Sequence, residues 1–246
     1  MTLDEALKAL FGSNFTVEAR PDGTLLGEAR LTPTQTATLI GIVDGAALGI
    51  EGALTLAHRV LSMMRAGQRQ PILLLIDSSS QRMSHRDELF GLNEYLAHLA
   101  KVLWQADRAG IPTVTLLYGG GAAGAFVTTA LATRALVALP GAHPAVMDLA
   151  SIARVTKLPP EMLQKMSEST AVFAPGIANI VLMGAVTESW TANQNLSARL
   201  VQLLAHYDEL PVDGRDQRGQ ERGGRTLAVE IAGQVMRAAM ASAPAT

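Results

Sequence analysis

Residues 119–125 of this chain carry almost no side-chain atoms. Residues 119–121 are three consecutive glycines, and the small residues 122–125 follow them. The run 111–117, rich in Val, Thr and Leu, precedes the glycines and favours a buried strand, whereas the small residues favour a tightly packed helix. A turn of this kind leaves N–H groups free at a helix N-terminus, where they can hold an anion or a developing oxyanion. The sequence therefore predicts a site built from backbone.

Composition restricts both the class of protein and its chemistry. The chain has 246 residues, enough for one large domain, and we expect a single domain over 1–246. Hydrophobic residues make up 48% and aromatic residues only 4%, which predicts a core of Ala, Leu, Val and Ile. The formal net charge of −2 argues against a basic surface for nucleic acid. Because cysteine is absent, disulfides, a thiol nucleophile and cysteine metal sites are excluded.

Neither the N-terminus nor the apolar segments predict export or membrane insertion. Residues 1–5 carry no basic region of the kind that begins a secretory signal. Residues 109–133 are uncharged, but Pro112 and several glycines and threonines interrupt them, which favours a buried strand, turn and helix over a membrane span. We therefore expect a cytoplasmic protein with no membrane span.

The hydrophobic pattern runs twice through strand, loop and helix, over 71–108 and over 111–134. Each strand is a continuous apolar run, so both of its faces should be covered by other elements. We expect a polar loop over 78–86, the most strongly patterned helix over 87–108, with its leucines on one face, and a helix over 122–134 after the glycines. This order predicts an α/β architecture.

Weaker patterns complete the chain. They predict helices over 3–11, 50–64, 148–156, 159–168, 191–206 and 226–241, and strands over 23–30, 37–43, 135–139, 145–147 and 184–188. The charge-dense segment 207–225 predicts a flexible surface loop. On that interpretation, deletion of residues 213–224 should leave activity nearly unchanged.

The glycines allow several interpretations. Gly119-x-Gly121-x-x-Gly124 matches the dinucleotide fingerprint, but no Asp or Glu occurs over 109–147 to hold a ribose. A Walker-type phosphate cradle is excluded because no Lys follows the glycines. An oxyanion hole for an acyl group stays open, as do glycines that merely permit close packing of helix on strand. We expect Gly121→Val to lower turnover without affecting the fold, because it would crowd the N–H donors.

The pattern around the glycines resembles the crotonase-like acyl-CoA carboxyltransferases. The resemblance rests on residues 119–126 after a strand, on the apolar segments 136–140 and 145–147, and upstream on residues 71–77 and 87–91. That family usually has Asp-Thr-Pro-Gly where this chain has Asp-Ser-Ser-Ser. Within the superfamily, this chain resembles the gamma subunits of biotin-independent malonate decarboxylases in its length and in this serine variant. That resemblance extends over about residues 35–190.

The resemblance implies a fold, partners and a reaction. The fold would be a crotonase-like superhelix of repeated β-β-α units that forms the carboxyltransferase half of a site. A beta subunit would be the partner, and the substrate would be malonate on the CoA-derived prosthetic group of an acyl carrier protein. This chain itself would bind no cofactor and no metal. Decarboxylation yields acetyl thioester and carbon dioxide through an enolate, which preorganised N–H groups stabilise.

The same resemblance assigns roles to seven residues. The backbone donors would be Gly119, Gly120, Gly121 and Ala122, and the lining of the substrate pocket would be Ser78, Ser79 and Ser80. No proton donor for the enolate is assigned: His85 is a candidate that a solvated loop explains more simply, and His143, before Pro144, is expected to be structural.

Two other functions stay open. One is a subunit of a biotin-dependent acyl-CoA carboxyltransferase, with the biotin supplied by another chain. The other is a non-catalytic scaffold that completes a partner's active site. A Ser-His-Asp hydrolase of the nucleophile-elbow type is not supported, because Gly-x-Ser-x-Gly is absent.

Overall fold

A twisted sheet with helices on both faces forms the centre of the computed structural model, which describes residues 1–145, 147, 149–169 and 176–242. The strands are β1 Phe15–Ala19, β2 Thr24–Thr32, β3 Gln35–Leu48, β4 Ile72–Gln81, β5 Thr113–Leu117, β6 Gly120–Ala122, β7 Ala135–Ala138, β8 His143–Ala145 and β9 Glu188–Ser189. Seven of them form one sheet in the order β1-β2-β3-β4-β5-β7-β9, and β6 pairs with β8 in a second, two-stranded sheet. The first three strands are antiparallel, whereas β3, β4, β5, β7 and β9 are parallel.

Eleven α-helices in the described residues accompany the strands. They are α1 Leu3–Phe11, α2 Ile50–Arg65, α3 His85–Leu89, α4 Leu92–Arg108, α5 Ala123–Thr128, α6 Leu149–Thr156, α7 Pro160–Ser169, α8 Ile177–Leu182, α9 Leu196–Ala205, α10 Arg215–Glu221 and α11 Thr226–Ser242. Short 3-10 helices lie at Ala130–Ala132 and Tyr207–Glu209. In the described part of the chain, no helix is long and apolar enough to cross a membrane.

Both faces of the parallel strands are buried, as their continuous apolar runs predict. Along β4, Ile72, Leu74 and Ile76 pack into one core with helices α2 and α4, and Leu73 and Leu75 pack into a second core with α1 and α9. Each buried side chain of this size stabilises the fold by about 1.5–3 kcal/mol. The prediction of an α/β architecture is confirmed.

The helix predicted over 87–108 begins later than expected. Leu92 and Leu99 are buried, but Leu89 is 73% exposed. The break falls at Gly91, which adopts φ 76° and separates α3 from α4. Glycine populates this left-handed region without a steric penalty, so it ends the first helix and allows the second to start in a new direction.

The loop predicted over 78–86 is wrong in its first half, because β4 continues to Gln81. The extension pairs with the end of β3, where Ala46 lies opposite Ser78 and Leu48 lies opposite Gln81. The register of this parallel pair shifts after Ile42, so the two strands resume pairing beyond an irregularity. Polar residues can therefore extend the strand beyond its apolar core.

The helix predicted over 122–134 is shorter in the structure, since α5 ends at Thr128. The hydroxyl groups of Thr128 and Thr129 donate to the carbonyls of Gly124 and Ala125, at 2.8 and 2.6 Å. Such bonds from Thr side chains compete with the helix ladder and bend it. The predicted strand over 145–147 includes Val146, which lies outside the described residues.

The segment 207–225 is not the loop that its charge density predicts. It contains α10 and a 3-10 helix in which Tyr207 is buried. Its arginines bind backbone carbonyls: Arg222 Nη1 donates to Val181 and Val186 at 2.9 and 2.7 Å, and Arg218 Nε donates to Gly184 at 3.0 Å. The arginines thus satisfy the carbonyls at the end of α8 and in the turn after it.

Deletion of residues 213–224 is therefore expected to destabilise the chain, contrary to the sequence-based expectation. A milder test is Arg222→Ala, which should lower the free energy of unfolding by about 1–3 kcal/mol because it removes the donor from two carbonyls. Urea denaturation measures this loss. Arg237→Ala on the exposed α11 is the control, and an equal effect of the two substitutions would contradict the assignment.

Candidate functional site

The residues predicted to form the site lie at one edge of the sheet. Parallel strands β3, β4 and β5 end side by side, which brings together the backbone around Gly45, the run 77–80 and the glycines 119–121. In open α/β sheets, ligands bind outside the carboxyl ends of parallel strands. The topology therefore places the glycines and the serines where such a sheet receives a ligand.

The glycine run is a strand rather than an open turn. Residues 120–122 form β6, in which Gly120 lies opposite His143 of β8, and the His143 N–H donates to the Gly119 carbonyl at 3.0 Å. Gly121 is buried, and a Cβ on it would lie 2.6 Å from the ring of Phe126. The expectation that Gly121→Val spares the fold is wrong, because its side chain would enter the core.

Two side chains of β4 hold this glycine strand and the start of α5 in place. Asp77 Oδ1 accepts a hydrogen bond from the Gly120 N–H at 2.8 Å, and its Oδ2 accepts one from the Gly45 N–H at 3.2 Å. Four residues further, Gln81 Oε1 accepts from the Gly124 N–H at 2.8 Å. The predicted donor Gly120 therefore has an intramolecular acceptor, a carboxylate. This edge of the sheet already binds a negatively charged oxygen through backbone N–H groups.

Gly119 and Ala123 show how closely the backbone is fitted here. A Cβ on Gly119 would lie 2.3 Å from the Asp77 carboxylate, so no other residue fits at position 119 without a shift. Ala123, the first residue of α5, adopts φ 50°, in the left-handed region that a non-glycine residue rarely occupies. Strain of this kind concentrates at functional sites, where the surrounding structure maintains it.

Three polar atoms surround the position that a side chain of Gly120 would take. A Cβ at this position would be 3.2 Å from the Ser78 carbonyl oxygen, 3.5 Å from Asp77 Oδ1 and 3.6 Å from His143 Nε2. The other ring nitrogen of His143, Nδ1, lies 2.9 Å from the Gly141 carbonyl oxygen. Because a carbonyl only accepts, Nδ1 carries hydrogen and Nε2 faces Gly120.

The three predicted serines have different environments. Ser78 is buried and its hydroxyl donates to the Ala46 carbonyl at 2.9 Å, so it joins β4 to β3 and its side chain does not line a pocket. The Ser80 hydroxyl donates to the carbonyl of Gln81 at 2.7 Å. Ser79 is exposed at the end of the strand. Of the three, Ser79 is the serine whose side chain a ligand can reach.

Tyr118 lies directly before the glycines and is buried. Burial, and then the negative charges of Asp77 and Asp44, raise the pKa of its phenol well above the usual range. The phenol therefore stays protonated at neutral pH and cannot act as a base.

An ion-pair cluster fixes the chain directly after β4. Asp87 is fully buried, and its carboxylate accepts from Arg82 Nε at 2.7 Å, a hydrogen bond that lowers the pKa of Asp87 below its usual range. Glu51 pairs with both Arg82 and Arg86. These two arginines are therefore engaged in holding the segment after β4 against α2.

Among the described residues, no three His, Asp or Glu side chains come together as a metal site would require.

The sequence alone did not assign Asp77, Gln81 and His143 to the site. Asp77 and Gln81 could have been found by their spacing. They are four residues apart on β4, and the glycines that they bind, Gly120 and Gly124, are also four residues apart. His143 carries no such signal, because only the pairing of β6 with β8 brings it opposite Gly120.

Solved structures with the same fold are carboxyltransferases and their relatives. A chain of a Pseudomonas malonate decarboxylase hetero-tetramer in complex with coenzyme A superposes with a TM-score of 0.75 at 23% identity, covering 96% of this chain and 97% of that one. A chain of transcarboxylase 12S gives a TM-score of 0.70 at 16% identity, covering 85% of this chain and 42% of that one. These similarities confirm the crotonase-like carboxyltransferase fold.

Comparison of sequences identifies the family within this fold. The malonyl-S-ACP:biotin-protein carboxyltransferase MADD of Malonomonas rubra is 27% identical over 76% of this chain and 70% of that protein. A profile of the malonate decarboxylase gamma subunit, MdcE, matches residues 43–239, which include every residue of the candidate site. The chain therefore belongs to the malonate decarboxylase gamma subunit family.

Proposed function

We propose that this chain, paired with a homologous beta subunit, decarboxylates malonyl-S-acyl carrier protein to acetyl-S-acyl carrier protein and carbon dioxide. The observation that carries the proposal is the Asp77 carboxylate bound by the Gly120 and Gly45 N–H groups, at the edge of the sheet where the glycine strand lies. These bonds fix the glycine strand, so that a further N–H group of the same strand can bind the oxyanion of a thioester enolate.

The chemistry needs positioned donors rather than a nucleophile. The bond between the carboxylate carbon and the α-carbon breaks, carbon dioxide leaves, and the electron pair passes into the enolate with negative charge on the thioester oxygen. Among the four predicted donor residues 119–122, we assign the oxyanion donor to Ala122, because the Gly120 N–H already donates to Asp77. Alternate residues of a parallel strand face the same side, so the Ala122 N–H turns the way that the Gly120 N–H does. Asp77 and Gln81 keep this strand in place before substrate binds.

Ser79 is the serine that we assign to substrate contact, since its side chain is exposed at the same edge. Ser78 and Ser80 contribute through their backbone, whose course their bonded hydroxyls help to fix. We assign no cofactor to this chain. The CoA-derived prosthetic group belongs to the carrier protein, consistent with a relative that acts on malonyl-S-ACP and with coenzyme A in a structural relative.

The beta-subunit partner is supported by the solved Pseudomonas MdcD-MdcE hetero-dimer, of which one chain superposes with a TM-score of 0.75 at 21% identity. Large apolar side chains are also exposed on this chain, along α11 and around α3. They are Leu227, Ile231, Val235, Met236 and Met240, and Met83, Leu89 and Phe90. Exposed apolar groups in such numbers are typical of surfaces that bury against another chain.

Carbon dioxide release tests the proposal. Malonyl-S-acyl carrier protein, or malonyl-CoA in its place, is incubated with this chain alone, with the beta subunit alone, and with both. We expect release only from the mixture. If the mixture binds the thioester but releases no carbon dioxide, the decarboxylase proposal fails.

A second function has support from one relative. The Malonomonas rubra protein is a biotin-protein carboxyltransferase, so the carboxyl group in that system passes to biotin. The same mixture supplied with a biotinylated carrier protein separates the two functions. If malonyl thioester loses its carboxyl group only when biotin is present and carboxybiotin forms, the transferase is favoured. If carbon dioxide is released without biotin, the decarboxylase is favoured.

A further inference from the structure

An enolate must receive a proton at carbon before the acetyl thioester can leave, so the site needs an acid near the glycine strand. The five histidines all lie in the described residues. His58 and His98 lie on α2 and α4, His85 begins α3, and His206 follows α9. Only His143 belongs to a strand paired with the glycines, directly opposite Gly120.

The environment of His143 fixes its orientation. Its Nδ1 donates to the Gly141 carbonyl at 2.9 Å, which holds the ring, and its Nε2 lies 3.6 Å from the position that a Cβ of Gly120 would occupy. Asp77 Oδ1 faces the same position at 3.5 Å. The His143 imidazole therefore lies beside the Gly120 backbone, so a group that approaches Gly120 on this face comes next to Nε2. A positioned acid must lie within hydrogen-bond reach of the atom that it protonates.

The geometry points to His143 as the proton donor to the enolate, an inference that rests on the proposed function. As carbon dioxide leaves, the electron pair of the broken C–C bond forms the enolate of the thioester. The proton on Nε2 of the imidazolium then bonds to the α-carbon, and the electrons of the N–H bond return to Nε2. The product is the acetyl thioester with a neutral imidazole. Because the side chain is exposed, water restores the proton.

The reverse of this step gives a direct test that requires no decarboxylation. The complex of this chain with the beta subunit is incubated with acetyl thioester in deuterium oxide, and mass spectrometry follows deuterium entering the methyl group. His143→Asn keeps an N–H where Nδ1 donates to Gly141 but removes Nε2, and His143→Gln supplies an amide that cannot act as an acid. We expect both variants to exchange about 100-fold more slowly than the wild type.

His206→Gln is a matched control, because its Nδ1 lies 2.9 Å from a backbone carbonyl as well, that of Gln202, away from the glycine strand. It should exchange at the wild-type rate. Exchange at the wild-type rate in His143→Asn would overturn the inference. So would a raised KM with unchanged kcat and unchanged exchange, which indicates a role in binding alone. These results leave the proposed function intact as long as the wild-type complex releases carbon dioxide, whereas a wild type without release refutes that function itself.

Discussion

A single methyl group at position 120 is expected to lower turnover about 100- to 1000-fold while the chain stays folded. In Gly120→Ala the new Cβ would lie 3.2 Å from the Ser78 carbonyl oxygen and at 3.5 Å or more from other atoms, so shifts of a few tenths of an ångström accommodate it. The residue does not adopt a positive φ, so alanine adds no backbone strain. The methyl group would project toward Ser78, Asp77 and His143, on the face by which we expect the thioester to reach the Ala122 N–H. Losing one oxyanion donor costs this much in rate.

The measurement is kcat/KM for carbon dioxide release by the complex, together with the midpoint of thermal unfolding of this chain. Gly12→Ala, after α1, is the control for turnover, because its Cβ would meet no atom within 4 Å and it lies outside both α11 and the candidate site. Its positive φ makes the substitution cost about 1 kcal/mol of stability, but turnover should be unchanged. Gly121→Ala should instead lower the unfolding midpoint, since its Cβ would lie 2.6 Å from Phe126. Normal turnover in folded Gly120→Ala would contradict the placement of the oxyanion.

The parts of the fold that could be predicted are those that local hydrophobic patterns determine. The apolar run ending at Ile76 gives β4, and the spacing of leucines gives α4. The extension of β4 through Ser78 to Gln81 could not be predicted, because these polar residues become strand only by pairing with β3 beyond its irregularity. Likewise, the charge density of segment 207–225 predicts a loop. Its order comes from arginines that bind carbonyls distant in sequence, which a local pattern does not reveal.

The position of the predicted glycines in the fold follows from the sequence, but not what their backbone binds. Three glycines after a buried strand should lie at the carboxyl edge of the sheet, and they do. The hydrogen bond from the Gly120 N–H to Asp77 joins residues 43 positions apart in sequence. It therefore depends on how their strands are placed in the fold, which no local pattern gives. His143 enters the site through a pairing of two three-residue strands, too short to leave a periodic pattern.

Loss of the buried carboxylate of Asp107 is expected to destabilise the chain strongly. Asp107 accepts two hydrogen bonds from Arg134, at 2.8 and 3.0 Å, and a third from the Tyr207 hydroxyl at 2.7 Å. Tyr207 in turn accepts from the Thr113 N–H at 2.9 Å. The network joins α4, β5, the start of β7 and the 3-10 helix at 207–209. Asp107→Ala leaves the Arg134 charge buried without its partner, which costs about 3–5 kcal/mol.

Urea unfolding of this chain measures that loss, and Asp4→Ala provides the matched control. Asp4 also pairs with a cation, Lys8 at 2.7 Å, but both side chains are 65% exposed, and an exposed pair of this type contributes about 0.5 kcal/mol or less. The double variant Asp107→Leu with Arg134→Met should recover much of the loss, because it removes both charges and keeps the volume filled. If Asp107→Ala costs no more than Asp4→Ala, the ion pair does not hold these four elements together, and the stability of this region comes from other contacts, such as the hydrogen bond from Thr113 to Tyr207.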